Sequence, residues 1–432
     1  MSRAQTFGMA VTAAALIAAP AGAQTSTPAP APAGAVAAPA VVSDPIDLFY
    51  VARNGAPIWL KDDSGRAAAQ AFANLLHNAQ FDGLADGPDL ASKVETAIAT
   101  NDDKAISSAW VRYVQTLKGP VEGVSYGDAA LAPKAPSAGA ILAQAANAPS
   151  LLAQVQEVSS VNPLYEQLRD DAVKAGGTPD PRVRATLARL RLIPRRGRAI
   201  VVDIPAAKLM MIEDGKVVDS MKVIVGKPSG ATPIIASTIN YVTFNPVWHI
   251  PQDIARVRVA PVVIKRGVGY LKLARYQTVE AFGGEKETPI DPTTVDWKAV
   301  ADGTAEVHVR QLSGPQNMMG KVKFGFVNDY GVFLHDTPEK KKFDKEKRFL
   351  SHGCIRLERP DALASWLLGS DAAPPSGEPE ELVRVKTGVP IYLSYLTARP
   401  ADDGTIAYAD DVYGLDTPGA TKAVMATAAT AQ

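Results

Sequence analysis

The only cysteine of this 432-residue chain lies in a segment whose residue types suit thiol chemistry, Ser351-His352-Gly353-Cys354-Ile355-Arg356. A second histidine, His335, lies upstream in Leu334-His335-Asp336-Thr337. The thiolate is the nucleophilic form of cysteine, and a nearby imidazole can accept the thiol proton. We therefore predict Cys354 as a nucleophile and His335 as its general base, with a backbone carbonyl orienting the second ring nitrogen.

The residues around Cys354 have predicted roles with alternatives. His352 is either a second base or a brace for the loop, and we favour the brace. Gly353 supplies backbone freedom and an amide near an oxyanion, or only a tight turn. Arg356 offers a fork of donors to a substrate carboxylate. Ser351 either contacts substrate or caps a turn.

The composition excludes several classes of protein. The 45 basic residues balance the 45 acidic residues, so no strong field favours nucleic acid or an anionic membrane. We expect no cofactor and no metal, because a structural zinc site usually needs four ligands and a second cysteine is missing.

The first 43 residues predict export. Arg3, the apolar run from Phe7 to Ala19 and the small residues Ala21-Gly22-Ala23 fit a signal peptide over 1–23, so the mature chain would begin near Gln24. The Pro/Ala-rich stretch 24–43 is predicted to be a linker. We expect an exported, periplasmic protein without a stable membrane span.

The rest of the chain is predicted to be α+β. Residues 44–176 have helical periodicity, in which Trp110 and Tyr113 are expected in the core, and form a helical scaffold domain. One connecting helix, Pro181 to Leu192, falls within 177–197. Residues 198–398 have mostly hairpin-linked strands, which predict a sandwich or partly open barrel. Residues 399–432 are a C-terminal extension, disordered at its end.

Several features within 198–398 have predicted boundaries. Asp214-Gly215 is a hairpin turn, Leu382–Lys386 and Ile391–Leu396 are two strands, and Asp361–Leu368 is a short helix with Pro360 before it. The strand pattern fails over about 252–303, which we interpret as an inserted capping segment, or lid. A strand at Ala305–Gln311 follows it.

The two histidine and cysteine motifs resemble the signature of the L,D-transpeptidase catalytic domain (YkuD type). Four further sequence segments resemble those of the larger branch of that family, which has a helical scaffold and a lid-like insertion. They are Val225-Gly226-Lys227-Pro228, Phe244-Asn245-Pro246-Val247-Trp248, Gly320-Lys321-Val322-Lys323-Phe324 and Leu334-His335-Asp336-Thr337-Pro338. That branch commonly has a peptidoglycan-binding helical module before its catalytic domain. We expect it to be missing here, because only one helix fits between Gly176 and Arg198.

The resemblance implies an enzyme of cell-wall metabolism whose partners are peptidoglycan stem peptides. Cys354 would attack the third residue of a tetrapeptide stem, release D-alanine and form a thioester, which an acceptor amine would resolve into a 3→3 cross-link. Trp248 is expected either to line the donor groove or to be a buried structural residue, and Asn245 to bind substrate beside it. The sequence leaves protein partners unknown.

Two other functions stay open. A related thiol carboxypeptidase or amidase would use the same residues with water as the acceptor, or would cleave wall-protein links. A non-catalytic cell-wall scaffold belongs to a different class, and the intact pair Cys354 and His335 argues against it.

Overall fold

The computed structural model describes residues 44–283, 287–369 and 375–416. The predicted signal peptide, the linker and the end of the C-terminal extension lie outside these residues. Within them, no helix is long and apolar enough to cross a membrane. The described part begins with helices and continues as a mostly β region with an inserted lid, which confirms the predicted fold class.

Six helices pack around an aromatic core in the first part. The rings of Trp59, Phe72, Trp110 and Tyr113 pack with centroids 5.2 to 6.1 Å apart. The expectation that Trp110 and Tyr113 are core residues is confirmed. Asp102 caps the fourth helix by accepting the amide hydrogen of Ala105. The helices are α1 (Pro45–Ala52), α2 (Asp63–Leu76), α3 (Gly87–Thr100), α4 (Asp103–Lys118), α5 (Ala138–Ala146) and α6 (Leu151–Ser159).

Two further helices, α7 (Pro163–Ala175) and α8 (Pro181–Leu190), pack on the sheet. Leu168 and Leu187 share a buried core with the strand residue Val201. Helix α8 is the predicted connecting helix. It ends slightly earlier than expected, because Pro194 disfavours helical backbone just before it.

The strands follow in chain order, with the lid strands among them. They are β1 (Ser125–Tyr126), β2 (Arg198–Asp203), β3 (Lys208–Glu213), β4 (Lys216–Gly226), β5 (Ile235–Phe244), β6 (Trp248–Ile250), β7 (Tyr276–Val279), β8 (His308–Gln311), β9 (Val322–Phe326), β10 (Leu334–His335), β11 (Phe349–Ser351), β12 (Ile355–Leu357), β13 (Glu381–Ser394), β14 (Ala398–Pro400) and β15 (Ile406–Tyr408). The turn between β3 and β4 is the predicted one, since Asp214 and Gly215 both have positive φ.

One mixed sheet forms the partly open barrel. Its strand order is β1-β5-β13-β2-β3-β4-β12-β10-β9, with β11 beside β4, and β9 also pairs with β5, so the path turns back on itself. The interior holds Ile200, Val223, Phe324 and Leu393, all buried. Helix α13 (Pro360–Leu368) adds Leu363 to the same core and ends at Leu368, as predicted.

Two predictions about strands were wrong. The two strands expected over 382–396 are the single strand β13, whose pairing with β5 shifts register between Arg384 and Val389. The strand expected at Ala305–Gln311 is shorter and belongs to the lid, where β8 lies between β6 and β7.

The lid is therefore larger than the predicted 252–303. It has its own three-stranded sheet and a core that includes Ile250, Val263 and Val309. The strands of this sheet explain why the strand pattern of the sequence resumes at Ala305–Gln311. Its helical segments are α9 (Gln252–Ile254), a π-helical turn (Ala255–Val259), α10 (Ala260–Arg266), α11 (Gly269–Leu273) and α12 (Trp297–Asp302).

Candidate active site

The sheet brings the predicted nucleophile and base to neighbouring strands. Strands β10 and β12 are parallel, with His335 opposite Arg356, and the Ile355 amide donates to the Phe333 carbonyl at 3.0 Å. Residues opposite each other, and residues two apart along a strand, share a face of the sheet. Cys354 precedes β12 and continues this alternation, so His335, Cys354 and Arg356 lie on one face.

The ring of His335 is fixed by the backbone. Its Nδ1 lies 2.5 Å from the carbonyl oxygen of Asp336, and since a carbonyl only accepts, Nδ1 carries the proton. This leaves Nε2 as the nitrogen that can accept one. The expected backbone orienter is confirmed. The Asp336 carboxylate points elsewhere, accepting the Lys321 amide at 2.8 Å and pairing with Lys340 at 2.8 Å.

The electrostatic environment keeps both groups neutral. Burial, with a smaller effect from the Arg356 charge, lowers the pKa of His335 to about 3. Burial raises the pKa of the Cys354 thiol to about 11, although a backbone hydrogen bond from Phe333 and the charges of Arg356 and Lys323 oppose this rise. Near neutral pH the free protein therefore holds a thiol and a neutral imidazole, and proton transfer must accompany attack.

The thiol is only partly accessible to solvent, and its closest acceptor is a backbone oxygen. The sulfur lies 4.0 Å from the carbonyl oxygen of Gly331, in the turn before β10. Asn328 holds that turn by accepting the amide hydrogens of Tyr330 and Val332 at 3.1 and 3.0 Å. The turn thus fixes one wall beside the sulfur.

The loop before Cys354 is braced from within. Ser351 is buried, and its hydroxyl donates to the Cys354 carbonyl at 2.6 Å while accepting the Gly353 amide at 3.2 Å. Thr232 donates to the Gly353 carbonyl at 2.7 Å. Gly353 has φ of 122°, a backbone conformation that residues with side chains rarely adopt. The loop therefore needs the backbone freedom predicted for this glycine.

The hydrogen bonds of this loop bear on two predicted roles. The Gly353 amide is engaged with Ser351, so it is not free to stabilise an oxyanion as predicted. The hydroxyl of Ser351 likewise makes both of its hydrogen bonds within its own loop, which matches the turn-capping alternative better than contact with substrate. Among the described residues, the amide of Cys354 itself donates to no other group.

Arg356 is held beside His335 by a carboxylate. Its Nη1 donates to Glu339 at 2.6 Å, and Glu339 also pairs with Lys342 at 2.6 Å. The Nε of Arg356 is buried and has no partner among the described residues. The guanidinium is thus aimed by Glu339 and keeps an unused donor, so its role toward a substrate carboxylate stays a prediction.

The other predicted residues lie around this centre. The backbone of His352 packs against Gly230, where an added Cβ would come within 3.3 Å of the His352 Cα. Burial and the charges of Lys227 and Arg258 lower the pKa of His352. Arg258 belongs to the π-helical turn of the lid.

Asn245 and Trp248 lie at the base of the lid. Asn245 has φ of 48°, and its side-chain amide donates to the Glu378 carbonyl at 3.2 Å, so it anchors the segment before β13. Trp248 is half-buried against the core of the lid, which agrees with the structural alternative. Their predicted contacts with substrate stay predictions.

Sequence reasoning missed Phe333, Lys323 and Thr232. Phe333 lies two residues before His335, and the period of a strand could have placed it on the same face. Lys323 lies within a motif already recognised. Nothing in the sequence marks Thr232, because its partner Gly353 is distant along the chain. In the part of the chain that is described, no three His, Cys, Asp or Glu side chains could hold a metal ion.

Residues 197–392 match the family of L,D-transpeptidase catalytic domains (YkuD), and residues 44–171 match the family described as the Scaffold domain. A Haemophilus influenzae protein with the curated name "Putative L,D-transpeptidase" is 27% identical over 384 residues, covering 85% of this chain and 77% of that protein.

The solved structures that match cover less of the chain. An L,D-transpeptidase from Mycobacterium smegmatis is 17% identical over 46% of this chain and 58% of its own, with a TM-score of 0.23. A mutant Enterococcus faecium L,D-transpeptidase is 12% identical over 47% of this chain and 51% of its own, with a TM-score of 0.20. The chain therefore spans little more than half the length of these two.

Proposed function

Because the chain carries the catalytic domain of the L,D-transpeptidase family, a family of acyltransferases, we propose that it is a peptidoglycan L,D-transpeptidase forming 3→3 cross-links. The observation that supports the proposal is the pairing of β10 with β12, in which His335 lies opposite Arg356, two residues after Cys354. The predicted signal peptide supports action in the periplasm.

In the first half of the reaction, the sulfur of Cys354 attacks the carbonyl carbon of the third residue of a tetrapeptide stem. The thiol proton passes to Nε2 of His335, and the imidazolium then gives it to the nitrogen of the departing D-alanine. The peptide bond breaks and a thioester forms. The contact between Nδ1 and Asp336 keeps the ring in the tautomer that this transfer needs.

In the second half, the amine of an acceptor stem attacks the thioester. Nε2 of His335 takes a proton from that amine, and the sulfur leaves and recovers a proton from the imidazolium. The new amide is the cross-link. The free amide of Cys354 is the donor we assign to the oxyanion in both halves, since Gly353 is engaged.

The test uses the purified mature chain and a synthetic tetrapeptide stem bearing an acceptor amine. We expect the intact-protein mass to rise by the tripeptide acyl group, followed by peptide dimers and free D-alanine. Cys354→Ala should give neither. Trimmed monomers without dimers would assign the protein as a carboxypeptidase instead, and an unmodified thiol with an intact substrate would overturn the proposal.

A further inference from the structure

We infer that Lys323 is a substrate-binding residue of this site, which supplies with Arg356 a two-cation subsite for the C-terminal carboxylate of the donor stem. The inference rests on the proposed function and adds a specific role to it. Lys323 lies in a strand next to the catalytic residues.

Lys323, His335 and Arg356 form one row across three strands. Strand β10 pairs with β9 in antiparallel register, with His335 opposite Lys323, and with β12 in parallel register, with His335 opposite Arg356. Residues directly opposite each other project to the same side of a sheet. The imidazole therefore has one cationic residue on each side, on the face that also holds Cys354.

The ammonium of Lys323 is directed along this face by an aromatic ring. It lies 5.2 Å from the centre of the Phe333 ring, which in turn packs edge-to-face on His335 at 5.8 Å. Phe333 lies directly before β10, beside the position of Cys354. The contact thus draws the end of the lysine side chain toward the thiol rather than away from it.

Lys323 lacks the counter-charge that its neighbours have. Arg356 pairs with Glu339, and Lys340 pairs with Asp336, whereas no carboxylate of the described residues lies within ion-pair distance of Lys323. The residue is only partly exposed. A half-buried cation without an anion in its own chain, beside a nucleophile, is suited to an anion supplied by a ligand.

The position fits the donor's end group. The C-terminal carboxylate of a tetrapeptide lies one residue beyond the bond that Cys354 would attack, or roughly 3.5 Å of chain. Strands β9 and β12 are separated by one strand, about 10 Å, and a lysine side chain spans much of that distance. A carboxylate near the sulfur can therefore lie between Lys323 and Arg356.

A pair of alkylating reagents tests the charge at the thiol without substrate. Iodoacetate is an anion and iodoacetamide is neutral, and both react with the thiolate, so the ratio of their rates reports the local positive field. We expect Lys323→Met to lower this ratio by about threefold or more at low salt. Lys323→Arg should keep it, as should Lys216→Met, which removes an exposed lysine at the far hairpin. An unchanged ratio in Lys323→Met would overturn the inference.

A second measurement tests the ligand. The specificity constant for acylation is compared between a tetrapeptide and its C-terminal amide, and we expect Lys323→Met to reduce the preference for the carboxylate by about tenfold. An equal preference in wild type and variant would overturn the subsite while leaving the transpeptidase proposal intact. Failure of every variant and the wild type to acylate would instead reject the proposed function, with the alkylation ratios still deciding the charge.

Discussion

Buried polar groups have different partners in the helical part and at the candidate site. In the helical part, Asp82 is 3% exposed and is fully partnered: it accepts two bonds from Arg169, at 2.5 and 2.8 Å, and one from the Tyr165 hydroxyl at 2.6 Å. At the site, His335 is 6% exposed, and its burial together with the Arg356 charge disfavours its protonation more strongly than the Asp336 carboxylate favours it.

The difference separates structural from functional burial. A buried charge whose partners all belong to the chain holds elements together, and here Asp82 joins the α2–α3 connection to α7. A buried or half-buried group whose environment opposes its charge, or supplies no counter-charge, is suited to interact with a ligand. The predictions below test this distinction.

The largest effect is expected at His335. His335→Gln removes the group that accepts the thiol proton, so acylation of Cys354 by a tetrapeptide should slow by about 10²–10⁴-fold. The rate is measured from the mass of the acyl-enzyme over time. His77→Gln, which alters an exposed histidine on the helical surface, should acylate at the wild-type rate. Near-normal acylation by His335→Gln would remove this residue from the mechanism.

Asp82→Asn should cost about 3–5 kcal/mol of the free energy of unfolding, because the Arg169 guanidinium would lose its buried counter-charge. Urea denaturation measures the loss. The acylation rate per folded molecule should stay at the wild-type level, since Asp82 is structural. A normal stability combined with lost acylation would contradict the distinction drawn above.

Asp203 provides a pH-dependent case. Burial raises the pKa of its carboxyl to about 7, so the folded state holds this proton over a range in which the unfolded chain releases it. The contribution of this group to stability is therefore lost as pH rises from about 4 through 7. Asp203→Asn should be more stable than the wild type at pH 8, by about 1–4 kcal/mol, with the difference vanishing near pH 4. A constant difference across that range would refute this.

The smallest effect is expected for an exposed pair in the same helical part. Asp86 accepts two bonds from Arg112, at 2.6 and 2.7 Å, but both side chains are exposed. Asp86→Asn should change the free energy of unfolding by less than about 1 kcal/mol. Measured in the same urea series as Asp82→Asn, it isolates burial as the cause. Equal losses in the two variants would show that burial does not matter.

The sequence predicted the order of the helices and strands better than it predicted which strands pair with each other. The turn residues Asp214 and Gly215 fixed the hairpin between β3 and β4, and the short helix expected at Asp361–Leu368 is α13. Alternation of apolar and polar residues cannot show which sheet a strand joins, so the strand that is β8 was expected after the lid and not within it. It also cannot show a register shift, which hid the continuity of β13.

The site was predictable where residue type alone decides the chemistry. The sequence proposed the Cys354 thiol and the His335 imidazole as the reacting pair, and the backbone orienter that it expected contacts His335. The engagement of the Gly353 amide by Ser351 depends on loop geometry, and the row of Lys323, His335 and Arg356 depends on strand register. Neither can be inferred from spacing along the chain.

The way in which the lid joins the barrel has a practical consequence for protein engineering. The chain leaves β5 at Phe244 and returns at Val322, and these two residues face each other in the β5–β9 ladder, where the amide of Asn245 also donates to the Lys321 carbonyl at 2.8 Å. The whole excursion is thus a loop of a β-hairpin, however long. Replacing it with a two-residue turn would give a shortened protein that keeps the β5–β9 ladder, in which the reactivity of Cys354 could be studied without the lid.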